Sequence, residues 1–203
     1  ILQTNPGKKL RTSTAKSSRR TWSEAGARKQ ENQHEGERPQ MSDVKITKGY
    51  IPGAIGRVAE LNGSYYHKHW GFGLIFEAMV ATDLSAFLKR YDETRDGFWT
   101  ALLDGRIEGH ITIDGIHAES KGAHLRYFIV SDVLRGKGVG SRLIDSAIDF
   151  CRNSGHKGAY LWTFEGLDAA RHLYEKSGFK LVEQLRGSRW GVEVNEQRFD
   201  LLF

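Results

Sequence analysis

Residues 135–140, Arg-Gly-Lys-Gly-Val-Gly, set the strongest limit on what this chain can fold into. Just upstream, Leu125, Arg126, Tyr127, Phe128, Ile129 and Val130 form a β-rich run too short for a helix, which predicts a buried strand. Downstream, Leu143, Ile144, Ala147, Ile148 and Cys151 share one face of a helix, while Arg142, Asp145, Asp149 and Arg152 share the other. A strand must therefore become a helix across Gly136, Gly138 and Gly140. Glycine permits the curled backbone that this requires. With no side chains in the way, the amides of the loop can close on an anion at the positive end of the helix dipole. Two familiar phosphate patterns do not fit. The Walker pattern needs Lys-Ser/Thr after its last glycine, where the chain has Ser141-Arg142, and the dinucleotide pattern needs a glycine where Ser141 stands. What fits is Arg-x-x-Gly-x-Gly, from Arg135 through Gly138 to Gly140.

A second motif lies downstream, Ala170-Arg171-His172-Leu173-Tyr174-Glu175-Lys176-Ser177-Gly178-Phe179. In this order the two motifs resemble the GNAT superfamily of N-acetyltransferases, which bind acetyl-coenzyme A. The wider wording, over residues 125–130, 161–167 and 196–199, is similar to the acetyltransferase half of bacterial proteins that fuse it to a winged-helix regulator of the MarR type. The regulator has no counterpart in this sequence.

Residues 1–40 differ in kind from residues 41–203. They are rich in Ser, Thr, Lys, Arg, Gln and Glu and lack an apolar period, a composition that predicts a disordered basic tail. The tail holds 9 Lys or Arg against 4 Asp or Glu, which leaves 21 of each sign in residues 41–203. The formal net charge of +5 thus sits in the tail, and the basic balance is no argument for nucleic-acid binding by the folded part. Met41, the first methionine, reads as the natural start, with residues 1–40 as upstream or non-native sequence and a native tail as the alternative. No secretory signal or membrane span is recognisable, and the one cysteine has no disulfide partner. A cytoplasmic setting is the expectation. Residues 41–203 suit one domain with a core of its own.

Along that domain the patterns predict a strand over 44–50, a helix from Pro52-Gly53 towards Tyr65, and a second helix with Phe76, Met79, Val80, Leu84, Phe87, Leu88 and Tyr91 on one stripe. Strands over 98–104 and 106–114 flank Asp104-Gly105, a hairpin signal. In the second of them Glu108, His110, Thr112 and Asp114 share a face that the alternation marks as wet or functional. After the glycine loop and its helix come a strand over 158–163, a helix ending at Lys176, and strands over 179–185 and 190–202. The resemblance implies an α/β (α+β) fold: a mixed central sheet of about seven strands flanked by about four helices, the fourth and fifth strands splayed. A pantetheine arm can pair with the strand edges that such a splay exposes.

The resemblance also implies site roles. Arg135, Gly136, Lys137, Gly138, Val139, Gly140 and Ser141 would surround the pyrophosphate. Phe128, Ile129 and Val130 would meet the pantetheine through their backbones, and an amide there would polarise the thioester carbonyl. Tyr174 would stand near the sulfur as general acid. The general base is expected at His124 on the fourth strand, because an imidazole titrates in the useful range, with Glu108, His110 and Glu77 in reserve. Leu167 stands where many members place an asparagine, so that contact with pantetheine is in question. Cys151 lies on the core face of its helix, which argues against an acyl-enzyme.

The implied activity is transfer of acetyl from acetyl-CoA to a primary amine of a small molecule, by direct attack and with no metal. Trp70, Trp99, Trp162 and Trp190 suggest an apolar acceptor pocket. The alternatives are an acyl-CoA-binding regulatory module, an acetyltransferase for protein lysines or N-termini, and nucleic-acid binding through the tail. His67 and His69 lack further ligands at a metal-site spacing. A homodimer is left open.

Overall fold

The apolar periods of the sequence resolve into one sheet with helices on both faces. The computed structural model describes residues 44–203, so the tail over 1–40 and Met41 lie outside the described residues. In chain order the elements are β1 (Lys45–Lys48), α1 (Ala54–Trp70), α2 (Leu74–Lys89), β2 (Gly97–Leu103), β3 (Arg106–Asp114) and α3 (Ala118–Lys121). Next come β4 (Ala123–Val130), α4 (Val139–Asn153), β5 (Gly158–Phe164), α5 (Asp168–Lys176), β6 (Lys180–Gly187) and β7 (Val194–Leu202). The seven strands lie in the order β1-β2-β3-β4-β5-β7-β6. Every neighbouring pair is antiparallel except β4 with β5.

α4 is strongly two-faced. Val139, Leu143, Ile144, Ala147, Ile148 and Cys151 are buried, and with Ile111, Ile113, Leu125, Leu161 and Phe199 of the sheet they form the largest core cluster. The opposite face of the sheet is covered by α1 and α2 through Ala54, Val58, Leu84 and Phe87, which pack on Phe98 and Ile107. A third, aromatic cluster of Phe72, Phe76 and Phe164, with Tyr66, Trp70 and Trp190 against it, closes the end of the sheet near β5. Burial on this scale, at about 25 cal/mol per Å² of apolar surface, is the main term favouring the fold.

Four expectations change in detail. The face of β3 carrying Glu108, His110, Thr112 and Asp114 is not wet, because every residue of β3 after Arg106 is buried. α1 covers it: Arg57 Nη2 lies 2.7 Å from Glu108 Oε1. α1 runs beyond Tyr65 to Trp70, because Gly71 at φ 69 closes the helix by donating its N–H to His67 O. A short fifth helix, α3, precedes β4, and no apolar period announces four residues. The last strand begins at Val194 rather than 190, since Gly191 donates to Ser188 O in a turn.

His110 is wholly buried, with Nε2 2.8 Å from Thr112 Oγ1 and its ring 4.4 Å from that of Phe98. Burial holds its pKa down at about 3. An unfolded histidine titrates near 6.5, so below about pH 6.5 the unfolded chain takes up a proton that the folded chain refuses. Stability is therefore expected to fall as pH drops from about 6.5 towards 3, by up to about 1.4 kcal/mol per pH unit from this group. Urea unfolding along that range should show the decline, and His110→Phe should make it shallower.

Candidate active site

β4 and β5 are bonded as parallel neighbours only at Ala123 with Ala159 and at His124 with Tyr160. Beyond those pairs β4 stays with β3 and β5 stays with β7, so a fork opens whose two inner edges carry backbone groups without a ladder partner. β4 also bulges. Arg126 pairs with Thr112 and Ile129 with His110, which leaves an irregular step between, and there Tyr127 takes φ 54. A bulky residue in the left-handed region is strained by about 1–3 kcal/mol, and the strain re-aims the strand at the mouth of the fork. The Tyr127 hydroxyl is buried with no hydrogen-bond partner among the described residues.

A first cavity of about 590 Å³ runs from the glycine loop into the fork. It is lined by Phe128, Ile129, Val130, Arg135, Gly136, Gly138, Val139, Gly140 and Ser141, with the start of α5 opposite. Among the residues expected to hold the coenzyme, Lys137 alone is not on that wall. Its N–H is already given to Leu134 O at 3.3 Å, which closes the turn. Gly138 caps α4 at φ 73, and no side chain bonds to the open end of the helix. The first N–H groups of α4 are therefore presented to whatever anion enters the cavity. At Gly140 a Cβ would come within 3.1 Å of Leu173 and 3.3 Å of Phe128, so glycine is what lets α5 and β4 close on the loop. Arg135 lies 4.3 Å over the ring of Tyr65 and pairs with Asp132. This cradle fits a diphosphate, and the unpaired strand edges beyond it fit an amide-bearing arm.

A second cavity of about 310 Å³ lies on the other side of the fork, between β4, β5, α1 and α2. Tyr66, Phe128 and Leu167 line both cavities and form the seam between them. Tyr174 lines the second, 6% exposed, with its ring 6.0 Å from Phe128. Burial first, and the neighbouring Tyr66 second, push its pKa above the usual tyrosine range. Tyr66 is shifted the same way, also mainly by burial. His124 lies in this cavity too, stacked on Tyr160 at 4.3 Å with planes 8° apart. Burial first, then Arg126, push its pKa down to about 3, so at neutral pH it is an uncharged imidazole of low basicity. A chain of ion pairs enters the wall: Arg90 to Asp114 at 2.5 Å, Asp114 to Arg126 at 3.6 Å, and Arg126 to Asp83 at 2.6 Å. Trp162 and Trp190 line the cavity, whereas Trp70 and Trp99 pack elsewhere.

The reserve bases are not at this site. Glu108 is held by Arg57 and Arg106, His110 is sealed in the core, and Glu77 is exposed on α2 against Gly63; none lines either cavity. Cys151 is fully buried, and burial pushes its thiol up to about 12, so it stays protonated. His67 bonds Phe72 O through Nδ1 at 2.9 Å. Among the described residues no three His, Cys, Asp or Glu gather as a metal site, and no helix is long and apolar enough to cross a membrane. Sequence reasoning missed Tyr66, Asp83, Arg126 and Arg189 as cavity residues. The only local signal was the i, i+2 spacing of His124, Arg126 and Phe128 along β4.

An open helix start beside a glycine loop, a fork with unpaired strand edges and a second cavity beyond it suit a ligand that carries a diphosphate on an extended, amide-bearing arm. The chain belongs to the acetyltransferase (GNAT) family, which it matches over residues 59–179, and the family is one of acyltransferase enzymes. It is 27% identical over 135 residues to "Probable N-acetyltransferase camello" of Xenopus tropicalis, covering 66% of this chain and 62% of that protein. It is 28% identical over 109 residues to human "N-acetyltransferase 8B", covering 52% and 48%. The chain thus spans less than two thirds of either relative. Among solved structures, a GNAT-family acetyltransferase from Staphylococcus aureus Mu50 superposes with a TM-score of 0.64 at 21% identity, over 78% of this chain and 98% of that one. An acetyltransferase from Salmonella typhimurium, solved with its cofactor acetyl-CoA, superposes with a TM-score of 0.61 at 16% identity, over 78% and 94%. These two establish the fold.

Gly138→Glu would set a carboxylate in the anion cradle and a side chain at φ 73, with open space around it. Calorimetric titration of acetyl-CoA is expected to show affinity reduced by about 2–3 kcal/mol, roughly 30- to 150-fold, with the far-UV spectrum unchanged.

Proposed function

We propose that residues 44–203 form an N-acetyltransferase domain that moves an acetyl group from acetyl-CoA to the primary amine of a small molecule, both substrates being bound together. The observation that carries this reading is the seam: the first cavity and the second meet at Tyr66, Phe128 and Leu167, and Tyr174 lines the second with its ring 6.0 Å from that of Phe128. Acetyl-CoA supplies an activated acetyl thioester. The open amides of α4 hold its diphosphate, and Arg135 adds charge beside them. The fork edge of β4 pairs with its arm, and an N–H near the bulge meets the thioester oxygen, where negative charge grows during attack.

In the reaction the amine nitrogen bonds to the acetyl carbon, the carbon–sulfur bond breaks, and one proton leaves nitrogen while the sulfur leaves with its electron pair. Tyr174 meets that sulfur with an intact O–H, because burial keeps the phenol protonated at any working pH. We assign His124 as acceptor of the nitrogen's proton. Its low basicity means that it takes the proton only once bonding to carbon has made the nitrogen strongly acidic. The buried, protonated Cys151 is a poor nucleophile, which argues against an acyl-enzyme.

Turnover of acetyl-CoA by the full chain with a panel of amines tests the reading. Tyr174→Phe is expected to lower kcat by about 10²–10⁴ while acetyl-CoA affinity is kept, the range for a positioned acid. Binding of acetyl-CoA with no turnover of any amine would favour the regulatory-module reading instead. With its pKa near 3, His124 contributes no inflection near neutrality. The pH profile of kcat/KM should therefore rise up to the pKa of the acceptor amine itself, and His124→Gln should lower the plateau without moving that inflection.

A further inference from the structure

Three charged side chains line the second cavity, and they are not equally committed. Asp83 Oδ2 is 2.6 Å from Arg126 Nη2, and Arg126 also reaches Asp114 at 3.6 Å, so these two largely neutralise each other within the wall. Arg189, from the turn between β6 and β7, is held differently. Its guanidinium lies 4.0 Å over the ring of Trp162, its Nε is 3.1 Å from Glu196 Oε2, and its backbone N–H donates to Glu196 Oε1 at 3.0 Å. Glu196 is buried at 2% exposure, whereas the Arg189 side chain keeps 42%. Arg189 is fixed from its Nε edge and from one face, and its two terminal nitrogens, a fork suited to a carboxylate, make no hydrogen bond or ion pair among the described residues. The field agrees in sign: Arg126, Arg189 and Arg198 all disfavour a proton on His124, and Asp114 alone favours one. Much of the rest of the wall is apolar, with Phe76, Met79, Phe164 and Trp190.

We propose that the acceptor is an α-amino acid with an aromatic or large aliphatic side chain, its carboxylate seated on Arg189 and its side chain against Phe76, Phe164 and Trp190. The inference rests on the acetyl-transfer reading and deepens it. The amine then points towards the seam at Tyr66 and Phe128, and the product is an N-acetyl amino acid with free coenzyme A thiol, reached by the same proton transfers. A polyamine or a lysine side chain would bring positive charge to a wall whose single carboxylate is already bonded to Arg126.

The test compares kcat/KM of the full chain for L-phenylalanine and L-tryptophan with that for phenethylamine and tryptamine, which lack only the carboxylate, and with spermidine, by release of coenzyme A thiol. The amino acids are expected to be better substrates than their amines by about tenfold to a hundredfold, the worth of one charged hydrogen-bonded pair. In Arg189→Gln that ratio should collapse towards one, and Arg189→Lys should restore part of it. Equal or better turnover of the amines or of spermidine overturns the proposal, as does an Arg189→Gln variant that slows amino acid and amine alike. If acetyl-CoA binds but nothing in the panel is acetylated, the transfer reading fails and this inference fails with it.

Discussion

The bonding of β4 to β5 stops after two residue pairs, and the rest of the molecule is arranged around that interruption. Parallel strands normally lie buried with their ladder complete, because each unpaired peptide group kept from water costs free energy comparable to a lost hydrogen bond. Here β5 stays paired with β7 along its length, and β4 with β3 except at the bulge over Tyr127 and Phe128, so most of the cost falls on the inner edges of the fork. Those edges are left to pair with whatever occupies the fork, solvent or an extended arm. The glycine loop lies where an entering arm would end in charge, and the start of α4 supplies amides for it.

A sheet that parts in its middle needs support on both sides of the gap. α4 spans it on one face, joining Ile111 and Ile113 of β3, Leu125 of β4 and Leu161 of β5 in a single core. On the other face the aromatic cluster of Phe72, Phe76, Phe164 and Tyr66 bridges α1, α2 and β5. The ion-pair chain from Arg90 to Asp83 links α2 to the end of β3 and to β4. Such partly buried pairs add little net stability, but they join α2, β3 and β4 at the wall of the second cavity.

Much of this architecture is legible in the sequence alone. The strand before residue 135, the two faces of α4 and the order of the elements come from local periodicity, which a helix or strand expresses directly. The lining of the first cavity is legible too, except at Lys137, whose amide is spent inside the turn. What local pattern cannot carry is long-range covering. The alternation in β3 reads as one wet or functional face because nothing near Glu108 in sequence tells of Arg57, fifty-one residues earlier. The electrostatics of the second cavity are equally hidden, since Asp83, Arg126 and Arg189 come from three separate elements, and the low basicity of His124 depends on its burial and on Arg126 beside it. The positive φ of Tyr127 has no sequence signature at all, because tyrosine in a β-rich run predicts an ordinary extended residue.

The seam of Tyr66, Phe128 and Leu167 has a consequence for the choice of donor. In the proposed reading the acyl end crosses that seam, so acyl group and acceptor share one chamber of about 310 Å³. Every carbon added to the acyl chain is then taken from the room left for the acceptor. Donor length and acceptor size become a single trade: small acceptors go with longer chains, and bulky ones only with the shortest.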